Sequence, residues 1–190
     1  TGRLDTSLAD PRIAAVLVGP GLGRDALAQE RLQAALAHAV PLVLDADALM
    51  LLQPAMLAGR KAPLVATPHG GELAALASSF GIAATDRCEL VQALAEAMHG
   101  TVIAKGPDTL IAAPGEPLLI LPPATSWLAT AGTGDVLAGL AASRLAGGSD
   151  PAIAAQEACL LHAEAARLAG PAFSASDLIG CIPAAYGACL

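Results

Sequence analysis

The residues best suited to chemistry form one short run, Gly132-Thr133-Gly134-Asp135. Two glycines one residue apart allow a tight turn and let the backbone approach a ligand without a side chain in the way. An apolar pattern begins directly afterwards, and its members share one helical face: Val136, Leu137, Leu140, Ala141 and Leu145. The run should therefore form the first turn of a helix, whose free N–H groups and positive dipole end favour a bound phosphate.

The carboxylate of Asp135 has two interpretations at this place. It could simply offset the helix dipole from the first turn. Alternatively, beside a bound phosphate, it could act as a general base that takes a proton from a hydroxyl attacking phosphorus. In that case the amides of Gly132, Thr133 and Gly134 would stabilise the charge that develops.

Composition limits the class of protein. The 190 residues are 55% hydrophobic but only 2% aromatic, which fits a single domain, residues 1–190, with a core of Ala, Leu, Val and Ile. No apolar run approaches the length that crosses a bilayer, so we expect a soluble, cytoplasmic protein with no membrane partner. The net charge of −7 and the scattered Lys and Arg argue against a nucleic-acid partner. Four cysteines without metal-ligand spacing are interpreted as buried or incidental thiols: Cys88, Cys159, Cys181 and Cys189.

Short apolar runs and helical stripes alternate along the chain, which predicts an α/β fold. Buried strands are expected at residues 14–18, 41–44, 63–66 and 101–104, with antiparallel hairpins at 110–112 and 118–121 on one side of the sheet. Helical stripes follow at residues 28–39, 74–80, 86–98, 136–145 and 154–168. A further helix should start within 174–179, whereas the tail with its Pro and Gly predicts nothing definite.

Two loops near the start of the chain have open interpretations. The glycine loop at residues 19–23 is either a tight turn for packing or a loop that a ligand approaches closely, and Arg24 stands where a dinucleotide fingerprint needs its last glycine. Asp45 and Asp47 follow the second strand, where open α/β sheets bind ligands. They could hold a metal ion through water or orient a substrate, and Asp47 could equally cap a helix at residues 48–52.

Two later loops are ambiguous in the same way. His69 follows the third strand and precedes two glycines and Glu72, so it could contact a ligand or be structural, while Glu72 favours a helix start. Lys105 and Thr109 flank a turn and could hold a nucleotide phosphate, although a surface lysine is the common alternative. His162 adjoins a buried helical stripe and is interpreted as structural.

Taken in order, these loops resemble the ADP/ATP-dependent NAD(P)H-hydrate dehydratases of the ribokinase-like superfamily. The matching segments are Gly-Pro-Gly-Leu-Gly at 19–23, Asp-Ala-Asp-Ala-Leu at 45–49, Thr-Pro-His-Gly-Gly-Glu at 67–72, Lys-Gly-Pro-Asp-Thr at 105–109 and Ala-Thr-Ala-Gly-Thr-Gly-Asp at 129–135. The resemblance implies a mainly parallel sheet with helices on both faces and an antiparallel hairpin at one side. The family's first strand–helix units have no counterpart before Thr1, so we expect the chain to lack that N-terminal part.

The resemblance also implies roles for individual residues. Those implied to contact the hydrated cofactor are Gly21, Gly23, Asp47, His69 and Asp135, and Asp135 is the implied catalytic acid–base group. Those implied to bind the adenine nucleotide are Lys105, Gly106, Pro107, Asp108, Thr109, Gly132, Thr133 and Gly134. No residue is assigned to a metal, although Mg²⁺ is expected with the ADP or ATP that serves as phosphoryl donor.

The implied reaction phosphorylates the ring hydroxyl of hydrated NADH or NADPH, after which phosphate leaves and the dihydronicotinamide is restored. We also expect a homo-oligomer and an NAD(P)H-hydrate epimerase domain or partner. Two other functions remain open: a ribokinase-like kinase of the thiazole or hydroxymethylpyrimidine type, and a nucleotide-binding remnant without catalysis. The family usually has Gly-Asn-Pro and a Met where this chain has Ala124 to Leu128, and often an Asn where it has Met50.

Overall fold

A computed structural model describes Leu8 and residues 10–189. In this part of the chain six strands form one sheet: β1 (Val16–Val18), β2 (Leu42–Leu44), β3 (Leu64–Ala66), β4 (Thr101–Ala104), β5 (Thr109–Ala112) and β6 (Leu119–Leu121). The same part contains seven α-helices: α1 (Ala26–Ala37), α2 (Asp47–Leu51), α3 (Gly70–Ser79), α4 (Arg87–Met98), α5 (Thr133–Ala146), α6 (Pro151–Ala169) and α7 (Ala175–Cys189). Two short 3₁₀ turns lie at Pro54–Leu57 and Ser126–Ala129.

The strands lie side by side in chain order, from β1 to β6. β1 to β4 are parallel, and the register places Val43 of β2 between Leu17 and Val65. β5 and β6 complete the sheet by antiparallel pairing, with Ile103 opposite Ile111. The predicted fold class is therefore confirmed, including the antiparallel hairpin at one side.

The sheet separates two hydrophobic cores, because successive strand residues face opposite sides. Leu42 and Leu44 contribute to one core, which is covered by α1 to α4. Val43, with Val65 and Ile103 of the neighbouring strands, faces the other core, beneath α5 to α7. Both faces of the central strands are thus buried, which explains why their sequences are continuous apolar runs.

Most helix starts have a side-chain cap. Asp25, Asp86 and Asp150 each accept a hydrogen bond from the first turn of α1, α4 and α6 respectively, and Pro151 occupies the first position of α6. α5 differs, since its N-cap is Gly132 at φ +88° and no side chain caps it. Its first turn is therefore left open toward the preceding loop.

Two helices differ from the prediction. α3 begins at Gly70, four residues before the predicted start, because the His69 side chain caps it. α7 continues to Cys189 and contains Pro183, where the sequence predicted no definite structure. Leu178 and Ala185 of α7 are fully buried, so packing maintains this helix despite its Pro and Gly.

Two findings concern the expectations from composition. Among the described helices, none combines the length and the apolar character needed to cross a membrane. All four cysteines lie in the described part and are free thiols, and only Cys159 is buried. Burial raises the pKa of the Cys159 thiol to about 12, so it stays protonated and unreactive.

Candidate active site

A cavity of about 750 Å³ lies at the carboxyl-terminal ends of β3 and β4. Its wall combines the loops after these two strands with the 3₁₀ turn and the start of α5. The candidate residues among its lining are His69, Lys105, Gly106, Pro107, Thr109, Thr133 and Gly134. Groups from five distant parts of the sequence therefore meet around one space, as expected where parallel strands end.

The first turn of α5 presents free amide groups next to this cavity. The single hydroxyl proton of Thr133 is shared between the carbonyls of Leu128 (2.6 Å) and Thr130 (2.8 Å). The Thr133 N–H also donates to the Thr130 carbonyl (3.3 Å). The N–H groups of Gly134 and Asp135 have no acceptor among the described residues. The Thr133 amide is therefore engaged in the turn, while the Gly134 amide is available to an anion.

The ammonium group of Lys105 lies against the same turn. A Cβ built on Gly134 would stand 3.3 Å from Lys105 Nζ, so the absence of a side chain at Gly134 leaves room for the ammonium. Nζ donates to Asp45 Oδ1 at 2.8 Å, and Thr67 Oγ1 donates to the same oxygen at 2.7 Å. Asp45 and Thr67 are almost completely buried. A fixed cation and a free amide thus stand together at the start of α5.

Asp135 lies on the other side of that turn. Its side chain is exposed and lines a second cavity of about 490 Å³, together with Gly132 and apolar residues of α5 and α7. The first turn of α5 therefore separates the cavity with the predicted nucleotide segment from the cavity with the predicted acid. Such an arrangement allows a donor and an acceptor to approach the same turn from two sides.

His69 begins α3 as its N-cap. Its Nδ1 accepts from the N–H groups of Gly71 (2.9 Å) and Glu72 (3.3 Å), and the Glu72 carboxylate accepts from the His69 N–H at 2.8 Å. Because Nδ1 is an acceptor here, the proton of the neutral ring must be on Nε2. The side chain is 61% exposed and reaches the cavity. The capping role is established by geometry, and a ligand contact stays a prediction.

The glycine loop and Asp47 are joined by hydrogen bonds. Asp47 accepts from the N–H of Gly23 (3.1 Å) and from Nε of Arg24 (2.7 Å), and the bond from Arg24 lowers the pKa of the Asp47 carboxyl. The N-cap of α2 is Ala46, without a side-chain bond, so Asp47 does not cap that helix. Gly21, Gly23 and Asp47 do not line either cavity described above.

The loop between β4 and β5 is held by Arg87 of α4. Its guanidinium donates to Oδ1 of Asp108 (2.9 Å) and to the Ala104 carbonyl (3.0 Å). A Cβ on Gly106 would come within 2.5 Å of Arg87 Nη2, so only glycine fits there without a shift of the guanidinium. Asp108 is directed to Arg87 and does not line the cavity. The sequence prediction did not include Arg87, and nothing in its local pattern at the start of α4 indicates this contact.

His162 of α6 is buried behind the start of α5, and its Nε2 donates to the Thr133 carbonyl at 2.9 Å. The pKa of His162 is lowered to about 4, mainly by burial and to a smaller extent by the nearby charge of Lys105, while the bond to the Thr133 carbonyl acts in the opposite direction. The ring is therefore neutral at physiological pH. The prediction that His162 is structural agrees with this contact, although the ring also borders the cavity.

The described residues contain no group of three or more His, Cys, Asp and Glu side chains arranged to hold a metal ion. The carboxylate of Asp45, which the sequence suggested as a possible metal ligand, is paired with Lys105 instead. Mg²⁺ usually keeps several waters and is held by one or two carboxylates together with substrate phosphates. The site therefore fits an ion that arrives with a nucleotide, with Asp135 as the exposed carboxylate nearest the open turn.

The fold is ribokinase-like. A solved ribokinase-like superfamily protein from Enterococcus faecalis V583 is 24% identical and superposes with a TM-score of 0.77, over 98% of this chain and 66% of that one. The chain belongs to the NAD(P)H-hydrate dehydratase family, whose sequence model matches residues 3–181. The family resemblance inferred from the five loops is thereby confirmed.

Two relatives add detail. The bifunctional NAD(P)H-hydrate repair enzyme Nnr of Mycobacterium leprae is 42% identical over 165 residues, which make up 86% of this chain and 34% of that protein. The chain thus spans about a third of the length of the curated relatives that it matches. The ADP/ATP-dependent NAD(P)H-hydrate dehydratase of Bacillus subtilis, crystallised with ATP and Mg²⁺ and soaked with CoA, is 26% identical with a TM-score of 0.81. That comparison covers 98% of this chain and 72% of the other.

Proposed function

We propose that the chain is the catalytic part of an ADP- or ATP-dependent NAD(P)H-hydrate dehydratase, a lyase that repairs hydrated NADH or NADPH. The family assignment supports this activity, and the solved relative that bound ATP and Mg²⁺ supports the nucleotide. One observation carries the proposal: Lys105 Nζ lies beside Gly134 in the uncapped first turn of α5. Gly134 is directly followed by Asp135, so a cation and a carboxylate flank the same turn.

In the first step the carboxylate of Asp135 takes the proton of the ring hydroxyl, and the hydroxyl oxygen attacks the terminal phosphorus of the nucleotide. An oxygen–phosphorus bond forms, and the bond to the bridging oxygen breaks. The electron pair of the broken bond stays on the departing nucleotide. Lys105 and the Gly134 amide stabilise the negative charge on the phosphates, and Mg²⁺, when bound with the nucleotide, neutralises further charge.

In the second step the phosphorylated ring loses inorganic phosphate. The carbon–oxygen bond breaks with its electron pair on phosphate, the adjacent ring carbon loses a proton to water, and the electrons of that carbon–hydrogen bond form a carbon–carbon double bond. Hydroxide is a poor leaving group at neutral pH, whereas phosphate held by amides and a cation is a good one. The net reaction with ADP converts the hydrate to the dihydronicotinamide and yields AMP and phosphate.

The remaining candidate residues divide between the two partners of this reaction. We assign the segment from Lys105 to Thr109, with Gly132 to Gly134, to the nucleotide, and within it Asp108 acts by fixing the loop to Arg87. His69, Gly21, Gly23 and Asp47 are assigned to the hydrated cofactor, with the Asp47 network fixing the glycine loop. A homo-oligomer and an epimerase activity in the same or a separate polypeptide belong to this proposal, and the bifunctional naming of the relatives supports the second of these.

The test is to incubate the protein with hydrated NADH and either ADP or ATP, and to follow the return of dihydronicotinamide absorbance. We expect absorbance to return with at least one nucleotide, together with phosphate release. No return, combined with a stable phosphorylated product from a thiazole or hydroxymethylpyrimidine alcohol, would identify a kinase instead. Nucleotide binding that is the same in the native protein and in Asp135→Asn, with no turnover in either, would contradict any catalytic role.

A further inference from the structure

The buried carboxylate of Asp45 has no part in the reaction steps above. It follows β2, is 2% exposed, and accepts both of its described side-chain hydrogen bonds on Oδ1. One donor is Thr67, which follows β3, and the other is Lys105, which follows β4. Three adjacent parallel strands therefore each contribute one polar side chain to a single cluster beneath the start of α5.

The backbone of Asp45 is as constrained as its side chain. Its N–H donates to the Val18 carbonyl at 3.1 Å, and its own carbonyl accepts from the N–H of Ala48 at 3.1 Å. The same carbonyl oxygen lies 1.7 Å from where a Cβ on Gly19 would stand, so Gly19 at φ +138° has no alternative residue without a shift of the backbone. The carboxylate is consequently presented to Lys105 from a fixed position.

An ion pair whose carboxylate is buried and whose ammonium is only 22% exposed is weak support for stability, because desolvation of the charges can exceed their attraction. Apolar side chains of similar volume often fill such a place at no loss. The cluster is nevertheless built at the one end of the sheet where the nucleotide cavity lies. Its geometry therefore needs an explanation other than packing.

We propose that Asp45 is a positioning residue that fixes the ammonium group of Lys105 at the open first turn of α5. This inference rests on the proposed function, because the ammonium is placed for the phosphates of a nucleotide. An ammonium has three N–H donors. One donates to Asp45, and the other two, which have no acceptor among the described residues, can bind phosphate oxygens beside the Gly134 amide. Without the carboxylate, the flexible stem of the lysine leaves the ammonium unplaced when phosphorus is attacked.

The chain offers an unusually direct measurement, since it contains only two lysines, Lys61 and Lys105. Lys61 is exposed and has no ion-pair partner among the described residues. With ¹⁵N-labelled lysine, we expect the Lys105 ammonium to give a slowly exchanging signal in ¹H–¹⁵N correlation spectra. It should shift on addition of ADP, while Lys61 serves as the internal reference. A Lys105 signal that exchanges as fast as that of Lys61 would overturn the proposal.

Substitutions then separate positioning from simple charge pairing. Asp45→Asn keeps an oxygen that can accept both hydrogen bonds but removes the charge. We expect turnover to fall by about tenfold or more, while the dissociation constant for ADP changes by less than about threefold, since the lysine still carries its charge. Lys105→Met should lower turnover and also weaken ADP binding. Glu116→Gln, which removes an exposed carboxylate on the turn before β6, is the charge-matched control and should change neither quantity.

The double variant Asp45→Asn with Lys105→Met tests whether Asp45 acts through Lys105. If it does, Asp45→Asn lowers turnover no further once residue 105 is Met. A further loss of turnover of about tenfold or more, the same as in the native background, would show that Asp45 acts independently of Lys105 and would overturn the proposal. Should Asp45→Asn not fold, Thr67→Val replaces it, because it withdraws one hydrogen bond from Oδ1 and leaves the carboxylate. Faster exchange of the Lys105 signal with reduced turnover then supports the proposal, and unchanged exchange overturns it.

The readouts also distinguish this inference from the proposed function. Absence of turnover in the native protein, with a Lys105 signal that is fixed by Asp45 and responds to ADP, would contradict the dehydratase activity and support the role of Asp45. Turnover in the native protein that continues at full rate in Asp45→Asn would support the dehydratase activity and contradict the role of Asp45.

Discussion

The two ends of the sheet each carry a cavity and a cation, but the cations are used differently. At the amino-terminal ends of β3 and β4, a cavity of about 520 Å³ is bordered by Arg60. The Arg60 guanidinium donates to the carbonyl of Leu36 in the last turn of α1 (2.7 Å) and to those of His38 (2.9 Å) and Val40 (2.7 Å), which follow that helix. At the carboxyl-terminal ends, Lys105 has one described partner, the carboxylate of Asp45.

The difference teaches that a cation fixed in place with donors to spare, and not cavity size, distinguishes the candidate site. The η nitrogens of Arg60 are occupied by backbone carbonyls, and its Nε is buried without a partner, where no ligand reaches it. Within the described part of the chain, Lys105 keeps N–H donors free beside the Gly134 amide, which has no acceptor there. An anion therefore gains new hydrogen bonds from Lys105 and Gly134 at the second cavity, whereas the η nitrogens of Arg60 at the first would have to give up existing ones. Lys61 also borders the first cavity, but it is exposed and no described residue fixes its ammonium in place.

The largest expected effect is on turnover and concerns a residue at the carboxyl-terminal end of the sheet. Asp135→Asn should lower turnover by about 10²- to 10⁴-fold, because the amide cannot accept the proton of the attacking hydroxyl. ADP binding should persist, since Asp135 lies outside the nucleotide cavity. Turnover and ADP titrations measure the two quantities. Asp150→Asn at the other end keeps a good N-cap for α6 and is the matched control. An unchanged rate in Asp135→Asn would remove Asp135 from the mechanism.

The next prediction concerns pH and the carboxyl-terminal end. The pKa of His162 is lowered from 6.5 to about 4 in the folded protein, so between these values the unfolded chain binds a proton that the native protein does not. This contribution to stability is complete above pH 6.5 and is lost as the pH falls toward 4, by an amount on the order of 3 kcal/mol. Denaturant unfolding at a series of pH values measures it.

A non-titrating donor tests the assignment of that pH dependence. His162→Gln can keep a hydrogen bond to the Thr133 carbonyl, and it should flatten the loss of stability on acidification. His38→Gln at the other end of the molecule is the control and should leave the slope as it is. An unaltered slope in His162→Gln would show that other groups dominate.

The smallest expected effect tests the amino-terminal end alone. Arg60→Met keeps much of the aliphatic volume but leaves the carbonyls of Leu36 and Val40 without their donor. The free energy of unfolding should fall by about 1–3 kcal/mol, while the dissociation constant for ADP is unchanged. Chemical denaturation and nucleotide titration of the same sample check both. A parallel loss of ADP affinity would mean that the two ends are coupled and that the comparison is wrong.

The sheet could be predicted closely from the sequence, since strands buried on both faces are continuous apolar runs. β4 has the predicted bounds, and the other strands begin within two residues of the expected positions. The last helix could not be predicted in full, because Gly180, Pro183 and Gly187 all lower helix propensity. Contacts with the rest of the second core outweigh that local preference, and such contacts are not visible in one sequence.

The candidate site could be located but not resolved by sequence. The glycine turn before α5 was identified because its pattern is local. The sequence did not show which of Asp45 and Asp47 faces Lys105, because both residues follow the same strand and only the folded structure shows the direction of each side chain. Asp47 was selected, whereas the geometry gives the buried contact with Lys105 to Asp45. The position of Asp45 directly after a buried strand was the one indication that its carboxylate is buried. The cation that pairs with it follows β4, and this could not be deduced from the sequence.

The pairing of Leu44 with Ala66 and of Ala66 with Val102 has a consequence for any insertion or deletion in this region. Moving β2 or β3 along its neighbour by one position would turn every side chain of that strand to the opposite face. Asp45 or Thr67 would then point into the wrong layer, although the sheet would still be hydrogen-bonded. Strand alignment is thus a condition for assembling the cluster of Asp45, Thr67 and Lys105, and this condition is stricter than that for hydrogen bonding of the sheet.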